Sequence, residues 1–223
     1  MRERPSTSRE QEKRAAAEAA AELVEDGMRV GLGTGSTVEY LLPVLAARHL
    51  SVRCVATSLR TEAAAAELGL VVERFDSLDR LDIAIDGADQ VSREGWLVKG
   101  GGGAHTREKI TAAAADRFVV VVSADKLVDD LSPPVPLEVL AFGLEATLAA
   151  LAPAKLRDAP SSPDGNPIAD YLGPIWDPAE LAARLSATPG VVEHGLFAPA
   201  LVYEILLGRG NRVEHLRPPI SGP

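Results

Sequence analysis

The chain holds a single cysteine, Cys54, in 223 residues. No intramolecular disulfide and no cysteine-based metal cluster can form, which fits a reducing compartment. Positive charge is scarce too. Against 32 Asp and Glu there are 23 Lys and Arg, a formal net charge of −9. A general nucleic-acid binder needs a basic footprint to displace phosphate counterions, so no nucleic-acid partner is expected. Histidines are few. His49, His194 and His215 are read as structural, and no pair of histidines shows metal-ligand spacing, so no metal is expected. Long apolar runs are missing as well. The most apolar stretch, 135–154, carries Glu138 and Glu145 and follows Pro133, Pro134 and Pro136. It reads as a core helix rather than a span, so no membrane partner is expected. The first 14 residues are polar and lack the apolar segment of a secretory signal. A cytoplasmic protein with a disordered tail over 1–9 is the expectation.

What remains is a globular composition, 46% hydrophobic and 25% charged. Its length allows one large or two small domains. The pattern predicts helices over 10–26, 37–49, 61–68 and 104–115, and strands over 28–32, 52–56, 70–73, 81–85 and 118–122. Strands alternate with helices, and several strands lack a polar face. That is the mark of a mostly parallel sheet covered on both sides. The pattern changes after Ala124. A proline hinge precedes a predicted helix over 137–151, a hairpin-type loop over 160–167, a helix over 178–186 and a strand-like stretch over 190–197. The expected division is an α/β domain over 1–131, completed by about 201–223, and a smaller α+β domain over 132–200.

Three polar clusters follow strands, where open α/β sheets place their ligands. The first is Gly31-Leu32-Gly33-Thr34-Gly35-Ser36-Thr37. Its glycines let the backbone approach a ligand, and the helix start with two hydroxyls suits a phosphate. It fits neither a P-loop nor a dinucleotide fingerprint, and it would also serve as a plain strand–helix turn. The second, Asp86-Gly87-Ala88-Asp89, ends a strand with two carboxylates that can orient hydroxyls and shuttle protons. An Asp-Gly turn with a helix cap is the alternative, and Asp82 is read as structural. The third runs from Lys99 through Gly100, Gly101, Gly102 and Gly103 to Glu108. Four consecutive glycines cost much chain entropy, which suggests a ligand lying on bare backbone. Lys99 is a candidate to neutralise an oxyanion, and Glu108 to accept a proton. Glu is also favoured in a first helical turn, with Thr106 a possible cap. Lys126 is an anion candidate. His105 stays open. Trp96 and Trp176 are assigned to packing.

In order and spacing these three clusters resemble the ribose-5-phosphate isomerase A family. The resemblance runs from about Lys13 to Lys126 and continues more weakly through Asp164-Gly165-Asn166 and Gly195-Leu196-Phe197. It implies a Rossmann-like domain with a smaller ferredoxin-like domain, usually in dimers or tetramers. It implies interconversion of ribose 5-phosphate and ribulose 5-phosphate through a cis-enediol(ate), without metal or organic cofactor. Glu108 would be the general base. Asp86 would manage the O1 and O2 protons. Asp89 and Lys99 would help open the ring and steady negative charge. Ser36, Thr37, Lys126 and Lys13 would hold the phosphate, with Thr34, Gly35, Gly87, Ala88, Gly100, Gly101 and Gly102 around the substrate. Two residues depart from the pattern: Gln90 stands where many relatives have Glu, and His105 where an apolar residue is usual. A non-catalytic sugar-phosphate sensor on the same fold is the rival reading. Another sugar-phosphate enzyme of the superfamily, a deaminase or a CoA transferase, is the third.

Overall fold

The computed structural model describes residues 8–218. Most of the expected tail lies outside them, and Ser8 and Arg9 already belong to α1 (Ser8–Glu22). Strand and helix then alternate through β1 (Arg29–Leu32), α2 (Ser36–Ala47), β2 (Arg53–Ala56), α3 (Leu59–Glu67), β3 (Val71–Val72) and β4 (Ile83–Asp86). Two short strands, β5 (Gln90–Val91) and β6 (Leu97–Val98), precede α4 (His105–Ala114) and β7 (Phe118–Ser123). Next come β8 (Val135–Val139), α5 (Leu144–Ala150), β9 (Ala154–Leu156), β10 (Ile168–Tyr171), α6 (Pro178–Ser186) and β11 (Val191–His194). The last elements are β12 (Leu196–Phe197), β13 (Glu204–Arg209) and β14 (Arg212–Leu216).

Seven strands form the main sheet, in the order β14-β13-β7-β4-β1-β2-β3. Each neighbouring pair is parallel except β13 and β14. In β7, Val119 and Val121 face the side covered by α1 and α2, while Phe118, Val120 and Val122 face the other side with Ala112 of α4. Burial on both faces is why such strands read as unbroken apolar runs. Each of the β7 valine and phenylalanine side chains contributes roughly 1.5–3 kcal/mol of transfer free energy, which makes β7 the anchor of the sheet. The small residues of α1, Ala16, Ala17, Ala20 and Ala21, are buried, and its backbone passes close over β13. A Cβ at Gly208 would sit 2.0 Å from the Glu12 carbonyl oxygen. The strand order turns back beside β1, with β2 on one flank and β4 on the other. The C-terminal ends of β1 and β4 therefore open a crevice at the switch point, the usual ligand position in such sheets.

The second sheet is antiparallel, in the order β11-β8-β10-β9. With α5 and α6 between strands it has the βαββαβ order of ferredoxin-like folds. Here one expectation is corrected. The stretch 137–151 is not one helix: its first part is the strand β8, and the helix begins only at Leu144. Gly143, at φ +72°, separates the two. The strand wins because Val135, Leu137 and Val139 join the smaller core while Glu138 is buried among donors: Thr106 Oγ1, Ser162 Oγ at 2.7 Å and Asn166 Nδ2 at 2.8 Å. The stretch 190–197 is likewise two strands in different sheets, because β12 pairs with β6. Trp96 packs on the smaller core, but Trp176, expected to pack, is exposed. No helix among the described residues is long and apolar enough to cross a membrane.

Candidate active site

The turn after β1 makes room for a carboxylate. Gly33 has none of its own side chain to spare: an added Cβ would lie 1.9 Å from the Asp86 Cγ. Across it, Asp86 Oδ1 accepts from the N–H of Thr34 at 3.1 Å and of Gly87 at 2.7 Å. Asp86 ends β4, as expected, and its side chain is buried. Asp89 leads into β5 rather than a helix, and its Oδ2 accepts from the Gly101 N–H at 2.8 Å. The helix-cap alternative for this cluster is thereby removed.

Lys99 follows β6 and is buried. Its Nζ lies 2.9 Å from Asp86 Oδ2 and 3.1 Å from Glu108 Oε2, and donates to the Gly87 carbonyl at 2.6 Å. The same ammonium stands 5.4 Å from the centre of the Phe197 ring. Its backbone is fixed by a hydrogen bond to the Gly195 carbonyl at 2.8 Å. Glu108 sits in the first turn of α4. Thr106 does not cap that helix; its hydroxyl goes to Glu138.

Two carboxylates and one cation, all buried, cannot all be ionised without a net negative charge in a low-dielectric site. Desolvation, aided by the Asp86 charge, pushes the Glu108 carboxyl up to about 8. Desolvation also raises Asp86, opposed by Lys99. Lys99 is held strongly protonated: its two carboxylate neighbours more than offset the penalty of burial. The result is a carboxyl group poised near neutrality beside a fixed positive charge.

At the other end of the crevice lies the start of α2. Gly35 precedes it at φ +120°, a conformation that favours glycine. Ser36 is exposed there and accepts from Lys13 Nζ of α1 at 2.7 Å. Lys126 comes from the turn after β7. Glu12 braces this end: its carboxylate accepts from the N–H of Ala124 and of Gly210, both at 3.1 Å. Between the ends is a cleft of about 160 Å³. Every expected site residue except Asp86 lines it: Lys13, Thr34, Gly35, Ser36 and Thr37; Gly87, Ala88 and Asp89; Lys99, Gly100, Gly101 and Gly102; Glu108 and Lys126. Asp86 lies just behind, within ion-pair reach of Lys99. Val122 also lines the cleft and was not expected. Thr57 supports the site from below through a 2.8 Å bond to Thr34 Oγ1, and Ser58 caps α3.

Of the two departures from the family pattern, Gln90 is paired at both ends of its amide, whereas His105 makes one contact, Nε2 to the Glu193 carbonyl at 3.4 Å, and its buried Nδ1 has no partner among the described residues. The Gln90 amide donates to the Ser132 carbonyl at 2.7 Å and accepts from its N–H at 2.8 Å, a pairing that Glu cannot complete. His105 is fully buried, and burial pulls it down to about 4, so it is neutral. Asp82 is structural as expected, bonded to Arg29. His194 is buried rather than exposed, with Nδ1 accepting from the Leu196 N–H at 3.2 Å. Among the described residues no cluster of three or more His, Cys, Asp and Glu is gathered as for a metal ion.

Fold and site together define a class: an α/β protein with a buried pair of carboxyl groups on one ammonium at one end of a cleft and a helix start flanked by two lysines at the other. Residues 53–212 match the family profile of ribose 5-phosphate isomerase A (phosphoriboisomerase A). A ribose-5-phosphate isomerase A of Nitrobacter hamburgensis is 43% identical over 92% of this chain and 97% of its own. The crystal structure of ribose 5-phosphate isomerase A from Neisseria gonorrhoeae superposes with a TM-score of 0.90 at 30% identity, covering 94% of this chain and 97% of that one. A D-ribose-5-phosphate isomerase in complex with phospho-erythronic acid gives 0.88 at 35% identity, over 94% and 99%. The chain belongs to the ribose-5-phosphate isomerase A family.

Proposed function

We propose that this chain interconverts D-ribose 5-phosphate and D-ribulose 5-phosphate through a cis-enediol(ate). One observation carries the reading: the buried Asp86–Lys99–Glu108 cluster shares a cleft with a helix-start anion seat flanked by Lys13 and Lys126. The seat grips the non-reacting phosphate with Ser36, Thr37, Lys126 and Lys13, and that binding energy orients the sugar. Asp89 and Lys99 assist ring opening. Glu108 then removes the proton from C2 of the open aldose. The C–H electron pair forms the C1=C2 double bond, and the former carbonyl electrons move to O1. Lys99 steadies that charge. Asp86 carries the proton between O1 and O2. Glu108 returns its proton to C1, leaving the ketone at C2. A single carboxylate serves both carbons, and the reaction draws on no metal or organic cofactor.

The phospho-erythronic acid complex of the relative supports this reading, because a four-carbon sugar acid phosphate resembles the enediolate half of the reaction. A division into a catalytic unit, 1–131 with 201–223, and a smaller unit, 132–200, belongs with the reading; sheet membership supports it, since β13 and β14 join the main sheet. So do a homodimeric or homotetrameric assembly and a cytoplasmic location.

Proton NMR of the protein with ribose 5-phosphate in D2O and EDTA tests the proposal. Ribulose 5-phosphate with deuterium incorporated is the expected result. Saturable binding without product would favour the sensor and overturn the isomerase.

A further inference from the structure

We propose that Arg157, contributed by the smaller sheet, is a positioning residue for this reaction: it orients the peptide planes of the glycine loop so that one N–H holds Asp89 and the next points into the cleft. The inference rests on the isomerase reading.

Arg157 immediately follows β9 and is tied to β10 by its own N–H, which donates to the Ile168 carbonyl at 2.8 Å. One edge of its guanidinium grips Asp170 of β10, with Nε 3.0 Å from Oδ2 and Nη2 on Oδ1. Nη1, on the other side, donates to two consecutive carbonyls of the loop, Gly100 at 3.0 Å and Gly101 at 3.2 Å. The side chain is 19% exposed, as is that of Asp170, so the fork is held rather than waving in solvent. A lysine could not make the paired carboxylate contact and reach both carbonyls at the same time.

Peptide planarity converts these contacts into an aim. In a trans peptide the carbonyl of one residue and the N–H of the next point in opposite directions. Gly100 and Gly101 line the cleft, Arg157 does not, and both carbonyls are turned toward Arg157. The N–H groups of Gly101 and Gly102 are therefore turned the other way. The first meets Asp89 Oδ2 at 2.8 Å. The second faces the side where negative charge develops on the sugar oxygens. A cation at the carbonyl end also polarises each peptide, which makes its N–H a stronger donor. The loop lies so close to α4 that a Cβ at Gly100 would meet the buried His105 ring at 2.6 Å.

The test compares R157A, R157K and D170N with wild type, and uses R184A as a stability control. Arg184 belongs to the same smaller unit and bonds Tyr171 Oη at 2.9 Å, without touching the loop. Four quantities are read: kcat, KM, inhibition by phospho-erythronic acid, and the Kd of inorganic phosphate by calorimetry. In R157A, kcat should fall about 10- to 100-fold, as misaimed donors do. Inhibition by phospho-erythronic acid should weaken by a similar factor while phosphate binding holds. R157K should recover part of the loss, and R184A should lower Tm with kcat unchanged. A folded R157A with wild-type kcat overturns the proposal. So does equal weakening of the analogue and of phosphate, which would mean a cleft loosened throughout. If R157A fails to fold, wild-type kcat in both R157K and D170N overturns it. A wild type without isomerase activity sinks the isomerase reading; an active wild type with an indifferent R157A sinks the positioning role alone.

Discussion

Asp86, Lys99 and Glu108 have side chains only 3–4% exposed, whereas Ser36 at the opposite end of the cleft is exposed and Lys13 and Lys126 are half-buried. The buried end places two carboxyl groups about 3 Å from one ammonium, where each group sets the protonation of the others. The open end places its cations beside a helix start, in contact with water and salt. The buried cluster is thus shielded and mutually tuned, while the groups at the helix start are screened and act more nearly independently. Changes at the first end should alter turnover and its pH dependence. Changes at the second should alter affinity and its salt dependence.

The largest effect should come from Glu108→Gln. The amide cannot accept a proton, so turnover should drop about 10²- to 10⁴-fold in the NMR assay while calorimetric binding of ribose 5-phosphate survives. Near-normal turnover would sink the assignment of the base. Next is pH. With the Glu108 carboxyl raised to about 8, kcat/KM should fall tenfold per unit on the acid side, to about a hundredth of its plateau at pH 6. Asp86→Asn removes the neighbouring negative charge, so its residual activity should show the acid limb shifted to lower pH. An unshifted limb would break the claim that the two carboxyls tune each other. The same group affects stability with a definite sign. Folding raises its pKa from 4.5 to about 8, so the folded chain binds the extra proton in that window. The stabilising contribution is complete below it and declines as pH rises through it.

At the open end the effects shrink. Lys126→Ala should raise KM about tenfold, leave kcat close to wild type and flatten the salt dependence, in line with the loss of one charge-assisted contact. A kcat loss larger than the KM change would erase the distinction between the two ends. The smallest effect sharpens it. Removing the negative charge of Glu12 beside an anion seat should tighten phosphate by simple Coulomb reasoning. Glu12 instead pins the turn bearing Lys126 to the helix bearing Lys13. Glu12→Ala should therefore raise KM, by about fivefold for a net hydrogen bond near 1 kcal/mol. A lowered KM would show that charge, not bracing, governs that residue.

How much of this could be read from the sequence follows from how local each feature is. The main sheet was legible because its strands are apolar on both faces and its turns carry glycine. Most of the residues that line the cleft were legible because they cluster directly after strands, whereas Lys13, on α1, is pointed to only by the family resemblance. The strand β8 was misread as helix because a short apolar run has no period of its own, and only its partners β10 and β11 decide it. The roles of Arg157 and Glu138 were invisible for a related reason. Each acts on the glycine loop or on α4 across a long stretch of chain, and no local pattern marks either one. The elevated Glu108 carboxyl was equally out of reach, because burial and three-way charge contact exist only once the crevice has closed.

The Glu12 carboxylate held by Gly210 joins the beginning of the described chain to its end, and β13 pairs with β7 from its middle. During translation, all the residues that line the cleft emerge long before residue 204, yet one edge of β7 then stands unpaired and only the Ala124 half of the Glu12 brace is made. The far end of the cleft is thus fully braced only once β13 and the turn at Gly210 have formed.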